Sequence, residues 1–575
     1  MPCFLKCSRL VLFLVYSSLG NAVANATAAP QLTVDLGYAT YQGISVVDCI
    51  TNKTNTEFLG IRYATPPTTA LRFAAPQAPA TTPGVQIAGA QPNRCWATGY
   101  GAQPSSSFVT SSTTGAGANR RSEDVVLEEN SRSMLDDTSV IPPFNEDCLF
   151  LNVFIPGALV QNRSLPVVVW IHGGGYVQGS ASGFTGLDIQ DGNDLIREAN
   201  DGVIVVVIQY RLGVFGFLSG QKVKDGGALN AGLLDQQFAL QWVKKYINRF
   251  GGDPSKVIIW GESAGAGSVI QHIVANGGNT HPPLFQAAIT SSTFLPAQYK
   301  FNDRIPEIVY SETVAQTNCS SSTDTLACLR NADVNVLQAT SANISNSAFF
   351  GTFLYLPVVD GKFMTKRPTQ LLKEGNLNGK MVYSVTNTLE GGMFVDPSTA
   401  DTVRMEDYVS QVFPNFGPEE ILEAQAQYAG LGSNISQAIA IMGESIIICP
   451  TYYLLHAFQG RAFKGEFAVP PGDHGNDLAY YFPSMNPTGV PPFNDAQFRA
   501  SFAESFLKFA MSLDPNAKKF DPNDITPRWP MWQGKYEMLF NRTEGGLPDV
   551  RLVNTSSALL KRCEFWASVA NLTAQ

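Results

Sequence analysis

The sequence predicts an α/β fold built on a mostly parallel, doubly wound sheet with helices on both faces. Three observations predict it. Residues 165–171 and 202–210 are continuous apolar runs without polar alternation, which is how strands buried on both faces read. Residues 256–260 form a third such run, and between the second and third, residues 233–243 repeat apolar side chains at helical spacing. The chain then turns through Gly261-Glu262-Ser263-Ala264-Gly265 into another helical segment, so strand and helix alternate as in a doubly wound sheet.

Later elements continue the pattern. Residues 381–385 read as a strand, and 436–443, 450–458 and 498–512 as helices. Residues 97–140 break the rhythm: they are rich in Ser, Thr and Gly, then charged at 120–124, with little periodicity. A loop this long inside a compact domain is usually functional or disordered. Cys95 and Cys148 at its ends predict a tethered flap over 95–148.

Composition narrows the classes. With 575 residues, 44% of them hydrophobic, the chain can bury a large core, and a net charge of −9 argues against nucleic acid or an anionic membrane as partner. Lys6 and Arg9, the apolar stretch 10–19 and Ala22-Val23-Ala24 predict a signal peptide over 1–24, leaving 25–575 as a single domain. No later run is read as reaching transmembrane length, and the polar 571–575 carries no lipid-anchor tail, so an exported protein without a transmembrane anchor is expected. N-glycosylation sequons at Asn52, Asn162, Asn318, Asn343, Asn434, Asn541, Asn554 and Asn571, with another at Asn25, agree with export. Loss of Cys3 and Cys7 with the signal leaves seven cysteines, so at least one is free or pairs between chains. Cys319 and Cys328 are near enough to close a small loop, and Cys95 with Cys148 a long one. Zinc-ligand spacings are missing, and no metal is expected.

The turn at 261–265 fits the G-x-S-x-G pattern, which holds a serine hydroxyl above a sheet edge. A serine is a weak nucleophile at neutral pH and needs a base. Of the five histidines, His172 precedes the serine, His272 and His281 follow it too closely, and His456 falls in an aromatic helix where a packed structural role is expected. His474, in a loop of turn residues after the later strands, is the candidate base. An acid must orient it, and Glu390, just past the strand 381–385, is the leading candidate, with Asp396 and Asp360 weaker ones. Backbone donors for an oxyanion come from Ala264, after the serine, and from the loop His172-Gly173-Gly174-Gly175 that follows the run 165–171.

The chain resembles the type-B carboxylesterases, a family that includes cholinesterases and fungal lipases, over residues 33–566. Three stretches carry the resemblance: 60–67 with Leu71-Arg72-Phe73, then 146–153, then 261–265. It implies an α/β-hydrolase fold, a catalytic triad of Ser263, Glu390 and His474, and an oxyanion hole at Gly174, Gly175 and Ala264. It also implies disulfides Cys95–Cys148 and Cys319–Cys328 and structural ion pairs Arg72–Glu146 and Arg211–Asp235, with Cys449 and Cys563 paired or buried and Cys49 free. The chain looks most like secreted fungal members. The flap lacks a tryptophan shortly before Cys148, its only one being Trp96, so a choline ester is disfavoured. Its polar make-up also lacks the amphipathic helix of an interfacial lid.

The expected activity is hydrolysis of a carboxylic ester, small-molecule or lipid, through an acyl-enzyme and without a cofactor. A triacylglycerol or sterol-ester lipase and an esterase of secondary metabolites are the alternatives. A non-catalytic adhesion module is disfavoured by the complete set of triad candidates.

Overall fold

The computed structural model describes residues 32–575 except 49, 107, 109–140, 187 and 487. The expectations for the signal peptide 1–24, Asn25, Cys49 and most of the flap fall outside these residues.

A small sheet joins β1 (Thr33–Asp35), β2 (Thr40–Gln42) and β5 (Val85–Ile87). The main sheet, eleven strands among the described residues, contains β3 (Ile44–Val47), β4 (Thr54–Arg62), β6 (Phe150–Ile155), β7 (Leu165–Ile171), β8 (Ile204–Ile208), β9 (Gly252–Glu262), β10 (Ala287–Ser291), β11 (Val382–Asn387), β12 (Ala462–Phe467), β13 (Tyr536–Arg542) and β14 (Pro548–Asn554). Their spatial order is β14-β13-β12-β11-β10-β9-β7-β8-β6-β4-β3. From β13 to β8 every neighbour is parallel, and antiparallel pairs finish both ends. The α/β-hydrolase fold is the one the sequence predicts.

The apolar runs are explained by their two faces. Val167, Val169 and Ile171 of β7 enter one core, while Val168 and Trp170 enter the other. β8 and β9 divide in the same way, with Ile258 and Trp260 on the side of Trp170. A strand with helices on both sides has no solvent face, so polar alternation would bury unpaired polar groups.

Helices Ala231–Tyr246 and Ala496–Ser512 cover the predicted helical segments. The predicted 436–443 and 450–458 belong to one stretch, Asn434–Gly443 and Cys449–Ala457 joined through a π-helical turn at Glu444–Ile448. This corrects the reading that no later run reaches transmembrane length: Asn434–Ala457 is long and apolar enough, but it is mostly buried inside the protein. A core helix and a membrane helix share composition, and tertiary packing decides between them here. His456 is also exposed rather than enclosed, with its ring edge against Trp532 at 4.9 Å.

Three disulfides staple the described chain, Cys95–Cys148, Cys319–Cys328 and Cys449–Cys563, with S–S distances of 1.99, 2.03 and 2.01 Å. Arg72 pairs with Glu146 and Arg211 with Asp235, each at 2.7 Å and nearly out of solvent. Buried pairs of this kind must stay intact, because removal of one partner strands the other charge.

Candidate active site

Ser263, Gly174, Gly175, Glu390 and His474 all follow the carboxyl ends of parallel strands, β9, β7, β11 and β12. Open α/β sheets place ligand sites along this edge. Ser263 links β9 to the helix Ala264–Gly278 with φ 55° and ψ −124°, a conformation that costs a non-glycine residue about 1–3 kcal/mol. Surrounding backbone bonds hold it: Ser263 N–H donates to Ser291 O at 3.0 Å, and Gly267 N–H donates to Ser263 O at 2.8 Å. Gly265 is required by close approach, since a Cβ there would collide with the carbonyl oxygen of Ile171.

The oxyanion candidates adjoin this turn. Gly174 adopts φ 98°, and its carbonyl accepts from Val177 N–H at 3.0 Å and Gln178 N–H at 2.9 Å, curling the loop back on itself. The N–H groups of Gly174 and Gly175 reach no acceptor among the described residues. Ala264 opens its helix, where the first N–H groups lack intrahelical partners.

His474 Nδ1–H donates to Glu390 Oε2 at 2.6 Å. The other oxygen of Glu390 accepts from Asn387 N–H at 2.6 Å and from the Ser292 hydroxyl at 2.8 Å. Nε2 of His474 lies 3.3 Å from Glu262 Oε1, within the serine motif itself. Asp477 completes the group, accepting from Asn387 Nδ2 and from the Tyr481 hydroxyl, each at 3.0 Å. One imidazole thus stands among three buried carboxylates. Burial opposes its charged form, but Glu262, Glu390 and Asp477 outweigh burial and hold His474 above its ordinary value. Burial pushes Glu262 up to about 8 and Asp477 up to about 6.

The rejected candidates make other contacts. Burial pushes His172 down to about 4 and His272 down to about 3, which keeps both neutral. His172 stacks on Tyr210 at 4.4 Å, and His272 bonds Gln236 at 3.1 Å. His281 is exposed and bonds Asn279. Asp360 accepts from Asn230 at 2.6 Å, and Asp396 caps a 3₁₀ turn through Ser398 N–H at 2.9 Å. Glu262, Ser292, Asn387 and Asp477 were not singled out as site residues from sequence. Glu262 and Asp477 sit one and three positions from Ser263 and His474, which is the available signal.

Aromatic rings wall the site. Phe394 lies 5.2 Å from the His474 ring, and Phe353 stands where a Cβ on Gly175 would point. Phe353 also packs on Phe294 at 5.3 Å and Tyr100 at 5.4 Å. Beyond Phe353 opens a largely apolar cleft whose lining includes Leu354, Leu356, Val412, Met442 and Ile446. Phe353 is common to the cleft and to the oxyanion loop, whereas Ser263 and His474 do not line the cleft.

A family model described as "Carboxylesterase family" matches residues 30–566. The chain is 30% identical over 581 residues to "Carboxylesterase patB" of Aspergillus clavatus, covering 95% of this chain and 97% of that protein. It is 29% identical over 440 residues to a "Secreted lipase" of Arthroderma benhamiae, covering 73% and 82%. Among solved structures it is similar to Aspergillus niger EstA, with a TM-score of 0.77 and 27% identity over 95% of this chain and 99% of that one.

Proposed function

We propose, given that this chain belongs to the carboxylesterase family and is a carboxylic ester hydrolase, that it works through an acyl-enzyme on Ser263. The observation that carries this reading is the 2.6 Å bond from His474 Nδ1–H to Glu390, with the other ring nitrogen 3.3 Å from Glu262, the residue that precedes Ser263 in its strained strand-to-helix turn. His474 Nε2 takes the Ser263 proton as Oγ bonds to the ester carbonyl carbon. The oxyanion is held by the N–H groups of Gly174, Gly175 and Ala264. His474 returns the proton to the alkoxide as the ester C–O bond breaks, then takes a proton from water, whose oxygen attacks the acyl-serine; the acyl C–Oγ bond then breaks, the carboxylic acid leaves, and His474 returns that proton to Ser263 Oγ. Glu390 keeps the ring in the productive tautomer and balances its transient charge. Ser263→Ala is expected to lower turnover of p-nitrophenyl butyrate by about 10⁴-fold or more. Retained activity would sink the proposal.

A lipase reading has its own support. The largely apolar lining of the cleft behind Phe353 suits an acyl chain, and Leu389 and Met393, flanking Glu390, are each 45% exposed. A lipase would accelerate sharply once tributyrin exceeds its solubility, whereas an esterase acting on dissolved substrate would not. Export is proposed on the signal-like residues 1–24 and on relatives named as secreted. The eight sequons from Asn52 to Asn571 are exposed, apart from the half-buried Asn541, and so are sterically open to glycans.

A further inference from the structure

Asp477 and Asn387 take no part in the steps above, yet both are buried within the ring of groups around His474. We propose that Asn387 is a positioning residue: its side-chain amide, oriented by Asp477, fixes the Ser292 hydroxyl so that its proton goes to Glu390. The inference rests on the triad reading and deepens it.

The geometry is a closed chain. Asn387 Nδ2 donates to Asp477 Oδ1 at 3.0 Å and to Ser292 Oγ at 3.1 Å. Ser292 Oγ–H donates to Glu390 Oε1 at 2.8 Å, and Asn387 N–H reaches the same oxygen at 2.6 Å. Glu390 Oε2 is thereby left for His474. Asn387, Ser292, Glu390 and Asp477 are all at most 1% exposed, so water does not compete for these bonds.

Asn387 Oδ1 is buried without a hydrogen-bond partner among the described residues. An orphaned amide oxygen is unfavourable, and turning the amide over would bring that oxygen to the position now held by the N–H donors. It would then face the Asp477 carboxylate, oxygen against oxygen. The charge on Asp477, whose second oxygen is held by Tyr481 at 3.0 Å, therefore fixes the amide. The amide in turn fixes Ser292. A hydroxyl has one proton, and with an N–H donor on its oxygen that proton is left for Glu390. Ser292 has little freedom to escape, since its own N–H donates to Val385 O at 2.8 Å.

Sequence explains why the parts coincide. Asp477 and His474 belong to one turn, tightened by Asn476 N–H to Asp473 O at 3.0 Å, so the segment that presents the imidazole also carries the anion that sets the amide. Asn387 ends β11 and Ser292 follows β10, and these strands pair side by side. The ionisable groups facing this cluster are Glu262, Glu390, His474, Asp477 and Tyr481.

The test is a double-mutant cycle on p-nitrophenyl butyrate with Ser292→Ala, Asn387→Ala and the pair, plus the isosteric Asp477→Asn. Each single variant is expected to lower kcat and kcat/KM together by about tenfold or more, as loss of a bond to a charged group implies. The double variant is expected to fall no further than the worse single, within about threefold, because both changes cut one chain. Asp477→Asn is expected to show the same loss, with the acidic limb of kcat/KM displaced to lower pH because a negative charge near His474 is gone. Effects that multiply in the double variant, or full activity in folded Asp477→Asn, overturn the proposal. If Asn387→Ala does not fold, Asp477→Asn replaces it in the same cycle with Ser292→Ala. Ser263→Ala separates the two readings: activity there removes the triad, whereas an inactive Ser263→Ala with multiplying effects removes only the clamp.

Discussion

At the scale of single residues, the contact between His474 Nε2 and Glu262 Oε1 at 3.3 Å sets the resting charge of the site. Nε2 is the atom that must be unprotonated to accept the Ser263 proton, and a carboxylate beside it favours the protonated ring. Glu262 therefore assists the imidazolium formed during reaction while delaying loss of the resting proton as pH rises. Burial delays ionisation of Glu262 to about 8, and once ionised it holds the proton on His474; in Glu262→Gln that charge is removed, the pKa of His474 falls, and the acidic limb of the kcat/KM profile is expected to move to lower pH. A profile of p-nitrophenyl butyrate hydrolysis between pH 5 and 9 measures this, and an unmoved or upward-moved limb refutes it. This residue also marks the boundary of sequence reading. Ser263, Gly174 and Gly175 are legible because their chemistry lies in contiguous motifs, and His474 follows from elimination among five histidines. Ser292 and Asn387 are not, because their partnership depends on β10 lying beside β11, and a run of 90 or more residues separates the two strands in the chain.

At the scale of elements, two turns packed together decide whether the site exists. The elbow after β9 and the loop after β7 approach so closely that glycines occupy the contact: Gly265 against Ile171 O, and Gly173 against the backbone and side chain of Glu262. Gly265→Ala places a methyl where a carbonyl already lies, and backbone, unlike a flexible side chain, cannot move aside. A loss of about 1–3 kcal/mol is expected from overpacking alone, measured by urea denaturation, together with a fall in kcat as the oxyanion loop separates from the elbow. Wild-type stability in Gly265→Ala would show that the two turns are not in contact in solution. The strands that bring these turns together were readable from sequence, since an uninterrupted apolar run has few alternatives to a two-faced core strand. The helix 434–457 was less so: its π-helical turn frees the carbonyls of Ser445 and Ile446, which accept from Gln575 Nε2 at 2.8 Å and Leu295 N–H at 2.7 Å. Such partners, far apart in sequence, leave no periodic signal.

At the scale of the whole molecule, that helix ties the apolar cleft to the C-terminal segment. Met442 and Ile446 line the apolar cleft, Glu444 grips Arg562 through two bonds of 2.7 and 2.6 Å, and Cys449 is bonded to Cys563 across 114 residues. Closing a loop of this length restricts the unfolded chain, and by the chain-entropy estimate the effect is about 5 kcal/mol, less whatever structure the unfolded state retains. The ion pair and the disulfide hold the same helix, Ser557–Ser568, so the native arrangement has a second tether when the covalent one is cut. Cys449→Ser with Cys563→Ser is therefore expected to lower thermal stability by several degrees while leaving kcat on a short ester near wild type at 25 °C, because Ser263, Glu390 and His474 sit in the turns after β9, β11 and β12 and neither cysteine belongs to those turns. On a long-chain ester the same variant is expected to lose rate, since Met442 and Ile446 form the cleft wall that the tether steadies. Calorimetry and paired assays on butyrate and palmitate esters separate these outcomes. An equal loss on both substrates would place the damage in the catalytic edge of the sheet, and no loss on either would mean that the cleft does not take the acyl chain.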